Sequence, residues 1–204
     1  MTPKADSSRL IVLSGPSGSG KSSVLARVLA SGDLPIRRSV SVTTRPPRPG
    51  EREGVDYYFW TPQQFQAAVH NGEFLEWAEI HGHHYGTLRR EVERHWKDNY
   101  WVLLEIDVQG ARQIRQLFPQ AVMIFLQAPD LAEYERRLRQ RGTEDENSLR
   151  RRLDAIHHEL AEAPNYHYQL VNCDLELTAA QLRQLLLAII FQTPREPQGG
   201  GNDA

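Results

Sequence analysis

The sequence predicts an α/β fold in which a parallel sheet is covered by helices on both faces. Apolar runs of strand length occur at residues 10–13, 101–106, 121–126 and 168–171. Helical patterns follow or separate them at residues 22–30, 109–117, 131–140, 148–162 and 178–191. Strands that alternate with helices are typical of βαβ units, whose crossover connections place helices on the faces of a parallel sheet.

Residues 35–97 interrupt this alternation, and we interpret them as an inserted subdomain of mixed α/β structure. A proline-rich stretch at 45–50 is followed by short aromatic segments of strand character at 57–60 and 74–80. Between them, Thr61 followed by proline has the pattern of a helix N-cap, and a glycine stands where that helix should end.

The remaining residues are assigned to a core domain and a tail. Residues 1–34 and 98–192 are expected to form the core. Residues 193–204 are rich in proline and glycine and lack apolar periodicity, so a disordered tail is expected there.

Composition excludes several classes of protein. The chain has 204 residues, of which 40% are hydrophobic and 25% charged, as in ordinary globular domains. Its net charge of -2 argues against nucleic acid polymers as partners. Cys173 is the only cysteine, which excludes an intrachain disulfide and a cysteine-rich metal site. No apolar run approaches the roughly 18 residues of a membrane span and no signal-peptide core is present, so we expect a cytoplasmic protein without a membrane partner.

The segment after the first strand satisfies the G-x-x-x-x-G-K-[ST] pattern of a Walker A phosphate loop. Its residues are Gly15, Pro16, Ser17, Gly18, Ser19, Gly20, Lys21 and Ser22, and Ser23 completes the expected ATP-binding set. Between a strand and a helix, the backbone N–H groups of such a loop surround an anion. Lys21 is expected to reach the β- and γ-phosphates, and the Ser22 hydroxyl to ligate Mg²⁺ as the cofactor. A P-loop NTPase core is therefore predicted.

The loop does not identify the group that receives the phosphate. The chain lacks the Asn-Lys-x-Asp motif by which many GTPases read guanine. Its short length and its insertion favour a kinase that brings two nucleotides together.

Further segments occur in a characteristic order. They are SVSVTTRPPRPGE at 39–51, GVDYYF at 54–59, EFLEW at 73–77, YGT at 85–87, LEIDVQG at 104–110, RGT at 141–143 and VN at 171–172. With the Walker A loop, this set resembles the guanylate kinase family over almost the whole chain, to about residue 191. The resemblance implies transfer of the γ-phosphate of ATP to GMP, and to dGMP as well, in purine nucleotide metabolism; it leaves monomer and homo-oligomer open.

The resemblance implies that five residues surround the phosphate of the acceptor nucleotide. They are Ser41, Arg45, Arg48, Tyr57 and Tyr85. Arg45 and Arg48 flank prolines that hold the backbone extended, so their guanidinium groups can converge on one dianion. A solvated surface pair remains the alternative for the arginines, and ordinary strand packing for the tyrosines.

Guanine differs from adenine in offering N–H donors on its Watson–Crick edge. The resemblance implies that Glu76 accepts from that edge, with help from the hydroxyls of Ser41 and Thr87; a solvent-facing charge is the alternative for Glu76. Glu105 and Asp107 close the predicted strand at 101–106 and, by alternation, share a face. One of them is expected to orient Mg²⁺, directly or through water, and Asp107 to lie near the acceptor; their separate roles stay open, as does a structural ion pair for Glu105.

Arginine accounts for 21 of the 24 basic residues, because Lys4, Lys21 and Lys97 are the only lysines. Seven arginines are concentrated at Arg136, Arg137, Arg139, Arg141, Arg150, Arg151 and Arg152. By resemblance, residues 137–152 form an arginine-rich helical lid over ATP. Its phosphate contacts are Arg137, Arg141 and Arg152, which with Lys21 and Arg45 make the catalytic set. The other arginines are expected to be exposed or paired with Glu133, Glu135, Asp145 and Glu146, and codon bias is the alternative explanation of the excess.

His81, His83 and His84 are close enough to suggest two metal ligands, but a surface loop beside the acceptor site is the preferred interpretation. The four tryptophans are expected in core or subdomain packing. Two other functions are considered: a kinase for a phosphorylated sugar on the same scaffold, and a guanylate-kinase-like protein-binding module. The intact phosphate loop and the retained guanine-reading set argue against both.

Overall fold

The computed structural model describes residues 9–140 and 146–192. A five-stranded parallel sheet with the strand order β2-β7-β1-β8-β9 forms its centre. These strands are β1 (Leu10–Ser14), β2 (Ile36–Arg38), β7 (Trp101–Glu105), β8 (Val122–Gln127) and β9 (Tyr168–Val171). The fold predicted from alternating strands and helices is confirmed.

Successive residues of the central strands enter two separate hydrophobic clusters, one on each face of the sheet. Leu10 and Val12 pack on one face with α3 (Arg89–Lys97) and α4 (Val108–Leu117). Ile11 and Leu13 pack on the other with α1 (Lys21–Leu29) and α7 (Leu175–Gln192). Because both faces are covered, β1 is wholly buried, which explains its unbroken apolar sequence.

A second, four-stranded mixed sheet has the order β4-β3-β6-β5. Its strands are β3 (Ser41–Thr43), β4 (Tyr57–Phe59), β5 (Phe74–Ile80) and β6 (His83–Leu88). β3 and β4 are parallel, and the other pairs are antiparallel. One face packs on α2 (Pro62–His70) around Phe65. Thr61 caps α2 as predicted, with a complete capping box.

The predicted boundaries of the insertion at residues 35 and 97 are both shifted by the structure. β2 pairs with β7 and so belongs to the central sheet. At the other end, Val92 and Trp96 of α3 are buried in the cluster of the central sheet. The second sheet and α2 therefore lie between residues 41 and 88.

Two helices, α5 (Leu131–Gln140) and α6 (Glu146–Leu160), occupy the lid region. Tyr134 and Leu138 of α5 are fully buried against Leu149 and Ile156 of α6. A 3-10 turn at Ala163–Asn165 then leads to β9. The predicted lid residues 141–145 and the predicted tail 193–204 lie outside the described residues. Within the described part of the chain, no helix has an apolar stretch long enough to cross a bilayer.

Candidate active site

The phosphate loop joins β1 to α1, as the motif predicts. Gly20 is the N-cap of α1 with φ 93°, a left-handed conformation that glycine adopts without strain. The loop is folded around its lysine: Lys21 Nζ donates to the carbonyl oxygens of Gly15 at 2.6 Å and Pro16 at 3.0 Å. The ammonium group thus lies inside the curve of the loop, where an incoming phosphate chain would meet it.

Glu105 and Asp107 have different surroundings, although the sequence placed both on one strand face. β7 ends at Glu105, whose carboxylate accepts a hydrogen bond from the Ser22 hydroxyl and pairs with Arg38 at 3.3 Å. Asp107 is instead the N-cap of α4 and accepts from the N–H of Gly110 at 2.9 Å. Burial raises the pKa of Asp107, which the charge of Lys21 partly opposes.

Five residues predicted around the acceptor lie on one face of the second sheet. They are Ser41, Tyr57, Glu76, Tyr85 and Thr87. Ser41 pairs directly with Tyr57, Thr43 with Tyr85, and Glu76 with Thr87. Direct partners share a face, as do residues two apart on one strand. Since α2 covers the opposite face, these side chains are left to face the core domain.

Arg45 is buried beside this face. Its guanidinium group donates to both carboxylate oxygens of Glu51, at 2.7 and 2.6 Å, and lies 5.0 Å from the centre of the Tyr57 ring. The rings of Tyr57 and Tyr85 are 6.0 Å apart and meet edge to face. Burial, with the charge of Glu105, raises the pKa of Tyr57 to about 12, so its hydroxyl stays protonated, and able to donate a hydrogen bond, well into the alkaline range.

Arg48 does not converge with Arg45 as the sequence predicted. Its side chain is exposed, whereas only 7% of Arg45 is exposed. The two residues are linked through the Arg48 backbone N–H, which donates to Glu51 at 2.8 Å. Glu51 therefore bridges the Arg45 guanidinium group and the backbone of Arg48.

Glu76 is buried, with 4% of its surface exposed, and accepts a hydrogen bond of 2.6 Å from the Thr87 hydroxyl. Burial, together with the nearby charge of Asp107, raises the pKa of Glu76 to about 8, and the hydrogen bond from Thr87 opposes that shift. A solvent-facing Glu76, the alternative considered from sequence, is wrong. A buried carboxyl with spare acceptor capacity matches the N–H donors of a purine edge.

Arg137 of α5 contacts the backbone of the phosphate loop. Its guanidinium group donates to Ser19 O at 3.0 Å, to Gly18 O at 3.3 Å and to the backbone carbonyl of Asn172 at 2.8 Å. The Asn172 amide also donates to Ser19 O at 2.8 Å. Arg137 is thus held beside the phosphate loop by backbone carbonyl groups of the loop and of Asn172.

The other lid arginines differ in their surroundings. Arg136 pairs with Glu133 at 2.6 Å and Arg139 with Glu135 at 2.9 Å, as expected of exposed helix residues. Arg152 is half-buried on α6, while Arg150 and Arg151 are exposed. Arg141 lies outside the described residues, together with the predicted partner Asp145. The side chain of Glu146 is likewise not described.

The histidine segment does not form the predicted loop. His83 and His84 begin β6, and only His81 and Gly82 make the turn before it. No group of three potential metal ligands is found among the residues that the structure describes. The tryptophans pack as expected except Trp77, which contacts Phe65 but is 39% exposed.

Sequence reasoning missed four residues that contact the site: Arg38, Glu51, Glu159 and Asn172. Glu159, at the end of α6, accepts a backbone hydrogen bond from Ser17 of the phosphate loop. Burial raises its pKa to about 7, and the charge of Lys21 opposes that shift. The matched segments contained Glu51 and Asn172, so their positions could have been found; Arg38 and Glu159 carry no local signal.

Comparison with known proteins gives one consistent result. The family model described as guanylate kinase matches residues 7–189. A guanylate kinase of Thermosynechococcus vestitus is 47% identical over 180 residues, covering 88% of this chain and 94% of the relative. One of Desulfitobacterium hafniense is 42% identical, covering 92% and 94%. The crystal structure of guanylate kinase from Anaplasma phagocytophilum aligns with a TM-score of 0.71 at 35% identity, over 88% of this chain and 84% of that one.

Proposed function

This chain belongs to the guanylate kinase family, and we propose that it transfers the γ-phosphate of ATP to GMP, forming ADP and GDP. We extend the proposal to dGMP as a second acceptor. The reaction returns GMP to the purine nucleotide pool.

One observation carries this proposal. The residues that would bind the two nucleotides form two adjacent groups, the phosphate loop with Ser22 and the face of the second sheet with Glu76. The end of β7 lies between them, because Glu105 contacts Ser22 and Asp107 lies near Glu76. This arrangement supports a reaction in which two phosphates meet in line, where positioning is the main task of the protein.

The residues present fit a magnesium ion. The Ser22 hydroxyl and the Glu105 carboxylate are already in contact, and hydroxyl and carboxylate oxygens are the ligands that Mg²⁺ takes beside nucleotide phosphates. We assign Ser22 as the direct ligand and Glu105 as the carboxylate that orients it, directly or through water. Bound there, Mg²⁺ would neutralise charge on the β- and γ-phosphate oxygens.

The remaining roles are electrostatic. Lys21 would bind the β- and γ-phosphates, and Arg137, Arg141 and Arg152 would stabilise the charge that spreads over the transferring group. Arg45, with Arg48 and the two tyrosines, would hold the acceptor phosphate. No side-chain nucleophile is needed, because the acceptor is itself a phosphate anion. Closure of the lid would exclude water, which competes with the acceptor.

A coupled assay of ADP formation tests this proposal. We expect ADP to form only when GMP is present and both Lys21→Ala and Arg45→Ala to reduce turnover strongly. Lys21→Ala should lower the rate of ADP formation at each ATP concentration, and Arg45→Ala should raise the KM for GMP. If both variants keep full activity, the site assignment is wrong even if the reaction is right.

A further inference from the structure

Gly110 stands where a glycine is not expected on helical grounds. It occupies the third position of α4 and has no positive φ, so any residue could adopt its backbone conformation. In a helix, glycine is less favourable than alanine, because it loses more conformational freedom on folding. A neighbour that would clash with a side chain gives a physical reason for glycine at this position.

That neighbour is the carboxyl group of Glu76. A Cβ atom added at Gly110 would lie 2.3 Å from Glu76 Oε2 and 2.9 Å from Glu76 Cδ, well inside contact distance. The next nearest atom, Asp107 Oδ1, would be 3.3 Å away, a tight contact but a tolerable one. The carboxyl group is not free to move aside, because it is buried and hydrogen-bonded to Thr87.

The same helix face fixes the strand that carries Glu76. Gln113, one turn after Gly110, accepts from the N–H of Trp77 at 3.3 Å and donates to the Trp77 carbonyl at 2.7 Å. β5 is an edge strand, and Gln113 satisfies its exposed backbone groups in the way a neighbouring strand would. Glu76 and Trp77 are thus fixed against α4 at two adjacent points.

We propose that Gly110 is a positioning residue for acceptor specificity: its missing side chain lets the Glu76 carboxyl group lie flush against α4, at the depth from which it can accept from a guanine edge. This inference rests on the proposed function, since it concerns the base of the acceptor. The first turn of α4, which belongs to the core domain, would thus position Glu76, a specificity residue on the second sheet.

Steady-state kinetics test the effect on the acceptor. Gly110→Ala should displace the Glu76 carboxyl group by about 1 Å and raise the KM for GMP roughly 10-fold to 100-fold, narrow the preference for GMP over AMP, and leave the KM for ATP unchanged. Gln116→Ala, an exposed position on the same helix, is the matched control and should change neither constant. Glu76→Asp shortens the side chain by one methylene, so combining it with Gly110→Ala should restore part of the folding stability that Gly110→Ala loses. An unchanged KM for GMP in Gly110→Ala overturns the proposal.

Thermal unfolding of the unliganded protein separates this inference from the proposed function, because it needs no substrate. Gly110→Ala should lower the Tm by about 3 °C or more in the wild-type background and leave it equal or higher in the Glu76→Ala background. Equal effects in both backgrounds would mean that Gly110 serves some other contact. Absence of GMP-dependent turnover in the wild type would refute the proposed function and leave the unfolding result intact.

Discussion

Glu51 holds Arg45 through two hydrogen bonds of 2.7 and 2.6 Å, while it also accepts from the backbone N–H of Arg48 at 2.8 Å. The side chains of the pair are only 8% and 19% exposed. The hydrogen bonds from Arg45 hold the pKa of Glu51 below its usual range. Such a fork-to-fork contact fixes the plane of the guanidinium group and leaves other donors of that group for a phosphate.

Glu51→Gln should therefore weaken binding of the acceptor. The amide presents an N–H₂ group to a guanidinium that has only donors, so Arg45 loses one bond and its orientation. We expect the KM for GMP to rise roughly 5-fold to 30-fold, the equivalent of one charge-assisted hydrogen bond, with the KM for ATP unchanged. Glu93→Gln, an exposed residue of α3, is the control. A lower KM for GMP would instead identify Glu51 as a competitor of the acceptor phosphate.

The raised pKa of the buried Glu76 carboxyl group should make the stability of the protein depend on pH. Its pKa is raised to about 8 in the folded protein, above the ordinary value of 4.5, so the folded state binds more protons than the unfolded state between these values. Its contribution to stability is present at low pH and is lost as the pH rises through 8.

Glu76→Gln, which cannot ionise, should accordingly be more stable than the wild type at alkaline pH. We expect the difference in unfolding free energy to grow from pH 5 to pH 9, to on the order of 3 kcal/mol. Glu79→Gln, an exposed change on the same strand, should show no such trend. Chemical denaturation of the unliganded proteins at each pH measures it; a constant difference would mean that Glu76 is ionised at neutral pH.

Arg137 makes its three bonds to the backbone of the phosphate loop and to Asn172 through a planar fork that lysine cannot reproduce. Arg137→Lys should lower kcat/KM for ATP roughly 10-fold to 100-fold and leave the KM for GMP unaffected. The neighbouring Arg136→Lys, on the exposed face of the same helix, serves as the control. If Arg137→Lys and Arg136→Lys have equal effects, the hydrogen bonds of Arg137 to the loop do not contribute to catalysis, and Arg137 supplies only positive charge.

Ser22 should control the response to magnesium. Ser22→Ala removes the hydroxyl that contacts Glu105, so a higher Mg²⁺ concentration should be needed for half-maximal activity, while Ser22→Thr keeps the hydroxyl and should behave as the wild type. Titration of activity with Mg²⁺ at saturating ATP and GMP measures both. If the alanine and threonine variants respond alike, the hydroxyl is not a ligand.

Three strands of the central sheet, β1, β7 and β8, could be predicted from sequence because they are buried on both faces and are therefore almost continuously apolar. β3 and β6 could not, because their site-facing residues are polar: SVT and HHYGTL show no apolar alternation. α3 was missed for a related reason: Val92 and Trp96 are the only apolar residues of RREVERHWK, and its third buried residue is the charged Glu91. In β3, β6 and α3, polar residues needed at the surface or at the site occupy positions where apolar residues would otherwise reveal the period of a strand or a helix.

The candidate site divides in the same way. The phosphate loop is a contiguous motif, so its geometry follows from local sequence. The contacts of Arg137 with Ser19, and of Gly110 with Glu76, join residues from distant parts of the chain, and only the packing of α5 and α4 determines them. The different surroundings of Glu105 and Asp107 depend on where β7 ends, and strand alternation alone could not show that.

ADP formation measured with GMP, dGMP, AMP, CMP and UMP as alternative acceptors, at one ATP and Mg²⁺ concentration, is the decisive experiment. We predict rapid turnover with GMP, turnover with dGMP, and rates with AMP lower by a factor on the order of 10² or more, since adenine leaves the buried Glu76 unsatisfied. Consumption of ATP that is equally fast with AMP, or with no acceptor at all, would refute a guanine-specific phosphotransferase.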